Sequence, residues 1–260
     1  MRKWLSKNII RIYAGVALFY IFIPVAYTIV FSFNTSKKRN INWQGFTFDN
    51  WLNPCDADGI CEALGNSLRI GFISTLISTV LGTMIAFAIG RYAFKGRSSV
   101  NLLIFLPMAT PEIVLGASLL AMFLNLGINP GFWPTIIAHV MFCISFVVVT
   151  VKARIAGLDP KLEEAARDLY ANEWETFRRI TFPLVLPGVA AAALLAFALS
   201  FDDFIITNFN SGTVSTFPKF VWVSATRGVP PQANVVGSVM FLGALAIVIL
   251  GQVVNRRKVR

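Results

Sequence analysis

The sequence predicts an all-α integral membrane protein: one domain over residues 1–260, six membrane-spanning helices, both termini in the cytoplasm. Three observations predict it. Hydrophobic residues make up 56% of the chain and charged residues only 14%, where a soluble domain carries about 25% charge. Six apolar runs reach the roughly 20 residues that cross a bilayer. Most of the 23 lysines and arginines fall on one side of the resulting topology, and the positive-inside rule assigns that side to the cytoplasm. A soluble protein with deeply buried helices is excluded, because core helices rarely exceed about 14 uninterrupted apolar residues. The net charge of +10 follows from this asymmetry and from contact with anionic headgroups of membrane lipid. It gives no reason to invoke nucleic acid.

The first span is expected over residues 12–33, behind Arg2, Lys3, Lys7 and Arg11. Its apolar stretch is longer than a typical signal-peptide core, and no small-x-small cleavage site follows before Asn34, so it reads as an uncleaved signal-anchor. The exported segment 34–65 carries Trp43, Trp51, Asp56, Asp58, Cys55 and Cys61. An exported loop permits a Cys55–Cys61 disulfide, with two free thiols as the alternative. No metal centre is expected, since the one histidine, His139, falls in the fourth span, where hydrogen bonding within the bundle is its expected role. Cys143 is expected to be packing.

The second span is expected over 70–89, followed by a cytoplasmic turn with Arg91, Lys95 and Arg97. The third, 100–126, contains Pro107 and Pro111, which break the helix and free backbone carbonyls. Such a break is tolerated where a helix lines a cavity. The fourth span is expected over 133–151, the fifth over 184–201 with 209 as an alternative end, and the sixth over 235–254, ahead of Arg256, Arg257, Lys258 and Arg260.

Between spans four and five lies the most polar segment, 152–183, far longer than a chain reversal needs. Asp159-Pro160 is a helix start, a cap followed by proline at the first position. Leu158, Leu162, Ala165, Ala166 and Leu169 recur at helical spacing and make one apolar face, its alanines admitting a close partner. Asn172 and Glu175 form a capping box for a second helix, which runs through Phe177 and Ile180 towards Pro183. The segment is therefore helix, tight turn near Tyr170-Ala171, helix: a docking element in the cytoplasm.

Within it, Glu163, Glu164-Ala165-Ala166, then Arg167-Asp168-Leu169, Tyr170, and ten positions on Ile180-Thr181-Phe182-Pro183, resembles the EAA motif (EAA-x3-G-x9-I-x-LP) of the permease subunits of type I ABC importers. Spacing is kept throughout. Tyr170 stands where the family has glycine and Phe182 where it has leucine. A positive φ is costly for tyrosine, so either the turn is built differently or Ala171-Asn172 takes the strained angle. The resemblance implies that the segment docks into an ATPase subunit, with Glu164 as polar anchor and Glu163, Ala165, Ala166, Asp168, Leu169, Tyr170, Ile180 and Pro183 around it. It further implies a second, homologous permease subunit (a heterodimer), an ATP-binding-cassette ATPase dimer carrying the ATP and magnesium, and an extracytoplasmic substrate-binding protein. No cofactor is expected on this chain, which has no G-x-x-x-x-G-K-[ST] loop, and the chain is expected to be a transport subunit, not an enzyme.

Ionisable residues inside a membrane are costly and mark function by default. Glu112 follows the two prolines of span three. Ser200, Asp202 and Asp203 end span five. A carboxylate-lined path favours cations, and Trp51, with Trp43 as a second candidate, could offer an aromatic face to an ammonium group. The other reading of Asp202-Asp203 is a helix cap. The Asp-Asp-Phe sequence, with Thr207 to Gly212 after it, is similar to the polyamine branch of the family, the second permease of spermidine/putrescine importers. An ABC permease for another small cationic or polar solute is the alternative. An ion-coupled secondary transporter would use the same acids but needs no docking segment.

Overall fold

A computed structural model describes residues 2–36 and 40–258, with side chains described from 8 to 36 and from 40 to 251. Lys37, Lys38 and Arg39 and the side chains of Arg2, Lys3, Lys7, Arg256, Arg257, Lys258 and Arg260, on which the sidedness expectation partly rests, lie outside the described residues. The elements in chain order are α1 (Arg2–Phe31), α2 (Asp49–Leu52), α3 (Ile60–Arg91), α4 (Arg97–Ala109), α5 (Glu112–Asn125), α6 (Phe132–Ala156), α7 (Lys161–Asp168), α8 (Glu173–Thr176), a π-helical turn (Phe177–Thr181), α9 (Phe182–Asp202), α10 (Ile205–Asn210), α11 (Phe217–Arg227) and α12 (Pro231–Lys258). Among the described residues the only β pairing is an isolated bridge between Asn34 and Phe46.

Five helices are long and apolar enough to cross a membrane, and α4 with α5 makes a sixth if that pair is one broken span. The third span is thus not the continuous helix its hydropathy suggests: α4 and α5 diverge by 105°. The cause is local. Pro111 has no N–H to continue the ladder, and Thr110 before it is pushed to an extended conformation. The second and fourth spans are longer than expected because helix continues past the apolar run into polar flanks, to Ile60 and to Ala156.

The chain divides into two compact units, Met1–Cys61 with Phe220–Arg260, and Glu62–Lys219. In the first, α1 packs on α12, with Phe22 edge-on to Phe241 at 6.3 Å. Much of α1 is apolar and exposed on every side, as suits a helix solvated by lipid. The exported segment is organised by amides: Asn34 Nδ2 donates to Asn40 Oδ1 (2.7 Å), and Asn50 Nδ2 donates to the carbonyls of Ser32 and Asn34. Cys55 and Cys61 are joined in a disulfide.

In the second unit a core of Leu115, Leu119, Phe123, Phe142, Val147, Val148, Val185 and Ile206 is buried between α5, α6, α9 and α10. Close approach at two places depends on glycine. At Gly116 an added Cβ would sit 3.0 Å from Phe209 and 3.3 Å from the Cα of Ile206, so α10 lies directly on α5. Gly212 has φ +57°, and a Cβ there would meet the Pro130 carbonyl at 2.7 Å. Gly212→Val combines a left-handed backbone, worth about 1 kcal/mol against a β-branched residue, with a backbone clash. The purified complex should unfold at a clearly lower temperature in detergent; an unchanged unfolding midpoint would contradict this packing.

Candidate functional site

Two groups of residues carry the functional expectations, and both lie within the second unit. The first is the polar segment between α6 and α9. Asp159 Oδ1 accepts the Lys161 N–H at 3.0 Å and starts α7. The helix ends in a Schellman arrangement: the Ala171 N–H reaches the Ala166 carbonyl and the Tyr170 N–H the Arg167 carbonyl. This geometry demands a left-handed residue at the first position past the helix end. Tyr170 supplies it, with φ +60°, the sole non-glycine residue at positive φ among those described. The strained angle therefore sits on the tyrosine itself, not on Ala171-Asn172. The capping box forms as expected: Asn172 Oδ1 accepts the Glu175 N–H at 2.9 Å, and the Asn172 N–H faces Glu175 Oε2 at 3.3 Å. A four-residue α8 then passes through the π-helical turn straight into α9.

The apolar face read from the spacing splits. Ala166 is buried, while Leu162, Ala165 and Leu169 are exposed, Leu169 at 82% and Tyr170 at 97%. Glu164 and Asp168 are exposed as well, Ile180 is half-buried, and Pro183 is the exposed second residue of α9. The adjacent glutamates part company. Glu163 turns inward, accepting from Arg91 at the end of α3 and from Thr181 Oγ at 2.7 Å, while Glu164 faces outward.

The second group lies where span five is interrupted. After Asp202 the helix stops, because Asp203 adopts an extended conformation (ψ 125°). Asp203 is buried and caps α10: its Oδ1 accepts the Ile206 N–H at 3.2 Å, and its Oδ2 accepts both the Thr207 N–H and the Thr207 hydroxyl, at 2.8 and 2.9 Å. His139 of α6 stands beside it, with Nε2 2.9 Å from Thr207 Oγ1 and 3.3 Å from Asp203 Oδ2. On the other side of the ring, Nδ1 is 2.7 Å from Ser200 Oγ, which in turn meets Ser74 Oγ of α3 at 2.8 Å. One polar chain thus joins α3, α6, α9 and α10 through the middle of the bundle. His139 has the expected intrabundle role, and Cys143 packs, fully buried.

Asp202 and Glu112 differ from Asp203 in being exposed. Glu112 opens α5 immediately after the break at Pro111, and it lies within electrostatic reach of both Asp202 and Asp203. Asn210 at the end of α10 donates to the Gly116 carbonyl of α5 at 3.2 Å, so the two interrupted spans face one another. Of the two aspartates, then, one is a helix cap and the other is exposed. Trp51 is the remaining residue expected on the substrate path. It belongs to the first unit, stacked on Phe33 at 5.3 Å with its Nε1 donating to Ser32 Oγ. Thr207, Ser74, Arg91 and Thr181 were not legible as site residues. Hydroxyls in apolar spans carry no periodic signal, and Arg91 is 72 positions from Glu163.

Comparisons with known proteins agree with one another. Residues 72–260 match the family model described as the inner membrane component of binding-protein-dependent transport systems. The chain is 38% identical over 242 residues to the spermidine/putrescine transport system permease protein PotC of Escherichia coli K12, covering 93% of this chain and 91% of that one. It is 34% identical over 238 residues to the E. coli putrescine transport system permease protein PotI, covering 88% and 84%. In fold it is similar to a chain of a bacterial ABC transporter involved in alginate import, with a TM-score of 0.69 over 99% of both chains at 17% identity. It is also similar to a chain of the MetNI methionine ABC transporter, with a TM-score of 0.63 over 76% of this chain and 95% of that one, at 16% identity.

Three substitutions check the geometry. Tyr170→Gly relieves the left-handed strain and should raise the stability of the permease by up to about 1 kcal/mol, read as a higher unfolding midpoint; a lower one would contradict strain at this turn. His139→Leu removes one partner each from the Ser200 hydroxyl, the Thr207 hydroxyl and the Asp203 carboxylate, which keep their contacts with Ser74, with each other and with the backbone of α10, and should cost about 1 kcal/mol or more. Asp202→Asn, measured alongside by thermal unfolding, should cost almost nothing.

Proposed function

The chain belongs to the inner-membrane components of binding-protein-dependent transport systems, and on that premise we propose that this multi-pass permease subunit of an ABC importer passes polyamines across the bacterial inner membrane. The observation that carries the cargo is the pair of exposed carboxylates, Asp202 and Glu112, brought to two facing helix breaks. A polyamine presents two or more ammonium groups along a flexible chain. Two spaced carboxylates in a low-dielectric setting suit it, and they repel anions. The relatives named for spermidine and putrescine support the same cargo.

In this reading both termini lie in the cytoplasm, and α7 with α8 docks into a cleft of a separate ATPase. The exposed residues Glu164, Ala165, Asp168, Leu169 and Tyr170 form the contact. A homologous permease completes the path, two ATPase subunits hold ATP and magnesium, and an extracytoplasmic protein delivers the substrate. Closure of the ATPase pair moves the docked helices, and the bundle alternates between inward-open and outward-open forms. A permease for another small cationic or polar solute would share all of this except the cargo.

Labelled putrescine and spermidine uptake, in cells lacking other polyamine importers, tests the cargo. Asp202→Asn and Glu112→Gln each remove one charge at constant shape. A charge-assisted hydrogen bond contributes about 1.5–3 kcal/mol, so uptake at limiting substrate should fall roughly tenfold or more for the acid that contacts the ammonium. Wild-type uptake in both variants and in their combination would remove the polyamine assignment. Glu164→Lys tests the docking: the permease pair should assemble while ATPase activity loses its response to substrate. Normal coupling in that variant would sink the docking assignment.

A further inference from the structure

The two adjacent glutamates of α7 point in different directions, since successive residues of a helix are rotated by about 100°. Only Glu164 faces outward. Glu163 Oε1 is shared by Arg91, the last residue of α3, and by the hydroxyl of Thr181, in the turn that feeds α9. Arg91 Nη2 also reaches Thr181 Oγ1 at 3.2 Å, closing a three-membered knot between α3, α7 and the start of α9. A second tie runs beside it. The Arg91 guanidinium lies 5.7 Å over the Phe87 ring. Phe87 meets Phe177 edge-on at 5.4 Å, and Phe177 stacks on Trp174 at 5.9 Å and packs on Phe182 at 5.8 Å.

We propose that Glu163 is a positioning residue for transport, the joint through which movement of the docked segment is handed to α3. The inference rests on the docking reading above, and it separates Glu163 from the partner-facing residues. Its physical ground is connectivity. The segment carrying α7 and α8 is continuous with α6 and α9 through the backbone, so those helices follow it in any case. The α3 helix is remote in sequence, with Arg91 72 positions from Glu163. It packs on α9 and α6, at Ser74 on Ser200 and Gly90 on Ile155, but at its Arg91 end the two ties just described join it directly to α7 and to the π-helical turn. A partly exposed ion pair adds little to stability, and Glu163 and Arg91 are both partly exposed. Breaking it therefore leaves the fold and the partner-facing surface in place and removes the direct polar link between α7 and α3.

The test uses the complete importer, with its partner permease, ATPase and binding protein, in sealed membranes. Glu163→Arg, Arg91→Glu and the double exchange are compared for ATPase co-purification and for ATP hydrolysed per polyamine taken up. Each single reversal should retain the ATPase at wild-type ratio and raise ATP consumed per substrate by about tenfold, and the double exchange should recover most of that loss, as interacting pairs do in double-mutant cycles. A purely structural role would not restore coupling through exchanged charges. Wild-type coupling in both single variants overturns the proposal, as does a double exchange no better than the worse single one. Loss of the ATPase from the Glu163→Arg complex alone also overturns it, by placing Glu163 in the docking contact. If a reversal abolishes membrane insertion, Glu163→Gln and Thr181→Val, which keep size and shape, give the same reading by the same ratio. The docking reading fails on a different result: a wild-type chain that co-purifies with no ATPase.

Discussion

Hydrocarbon offers no hydrogen-bond partner to a peptide group, and nearly everything in this structure follows from that constraint. It makes the described chain helical almost throughout. It also makes every interruption of a helix at membrane depth an expense that some side chain must offset. The break after Asp202 is answered by Asp203, which takes the first N–H groups of α10. The far end of α10 is answered by Asn210, whose side chain donates to the carbonyls of Ile206 and Gly116 and whose own carbonyl accepts the Gly131 N–H. The break between α4 and α5 is answered in part by Thr110, whose hydroxyl donates to the Leu106 carbonyl. His139 extends the same logic between helices, giving both faces of its ring to hydroxyls.

That requirement sorts the acids. Asp203 is hydrogen-bonded to the backbone of α10 and to Thr207 beside the His139 ring, so its position is fixed. Asp202 is one residue earlier, still at the end of α9, and carries no such duty. Glu112 begins a helix just past a proline break and is likewise exposed. The interruptions that the membrane makes expensive are thus also what places Asp202 at the end of α9 and Glu112 at the start of α5, the helix that α10 meets closely at Gly116.

In the segment between α6 and α9 the physics reverses, because water competes for every polar contact. One capping box and a Schellman turn join the two short helices. The left-handed Tyr170 stores strain where the chain is most exposed. Inward contacts are few and specific, the Arg91–Glu163–Thr181 knot and the Phe87–Phe177 pair. Glu164, Ala165, Asp168, Leu169 and Tyr170 are left exposed on the outward side.

The sequence by itself determined what depends on composition and on neighbours within about four residues. Apolar run length set the spans. Pro111 signalled the break in the third span, whereas Pro107, also expected to break it, is accommodated inside α4; Asp159 and Asn172 with Glu175 marked the helix starts of the polar segment. Residue identities and spacing in the polar segment carried the family resemblance. Only the tertiary structure decided which of Asp202 and Asp203 caps α10, which of Glu163 and Glu164 turns inward, that Tyr170 takes the positive φ, and that Trp51 stacks in an aromatic cluster with Phe33. The reason is physical. Caps and periodicity are local and can be read along the chain. A side chain's partner is chosen by packing between helices, which places His139 61 positions from Ser200 and Arg91 72 positions from Glu163 within hydrogen-bonding reach.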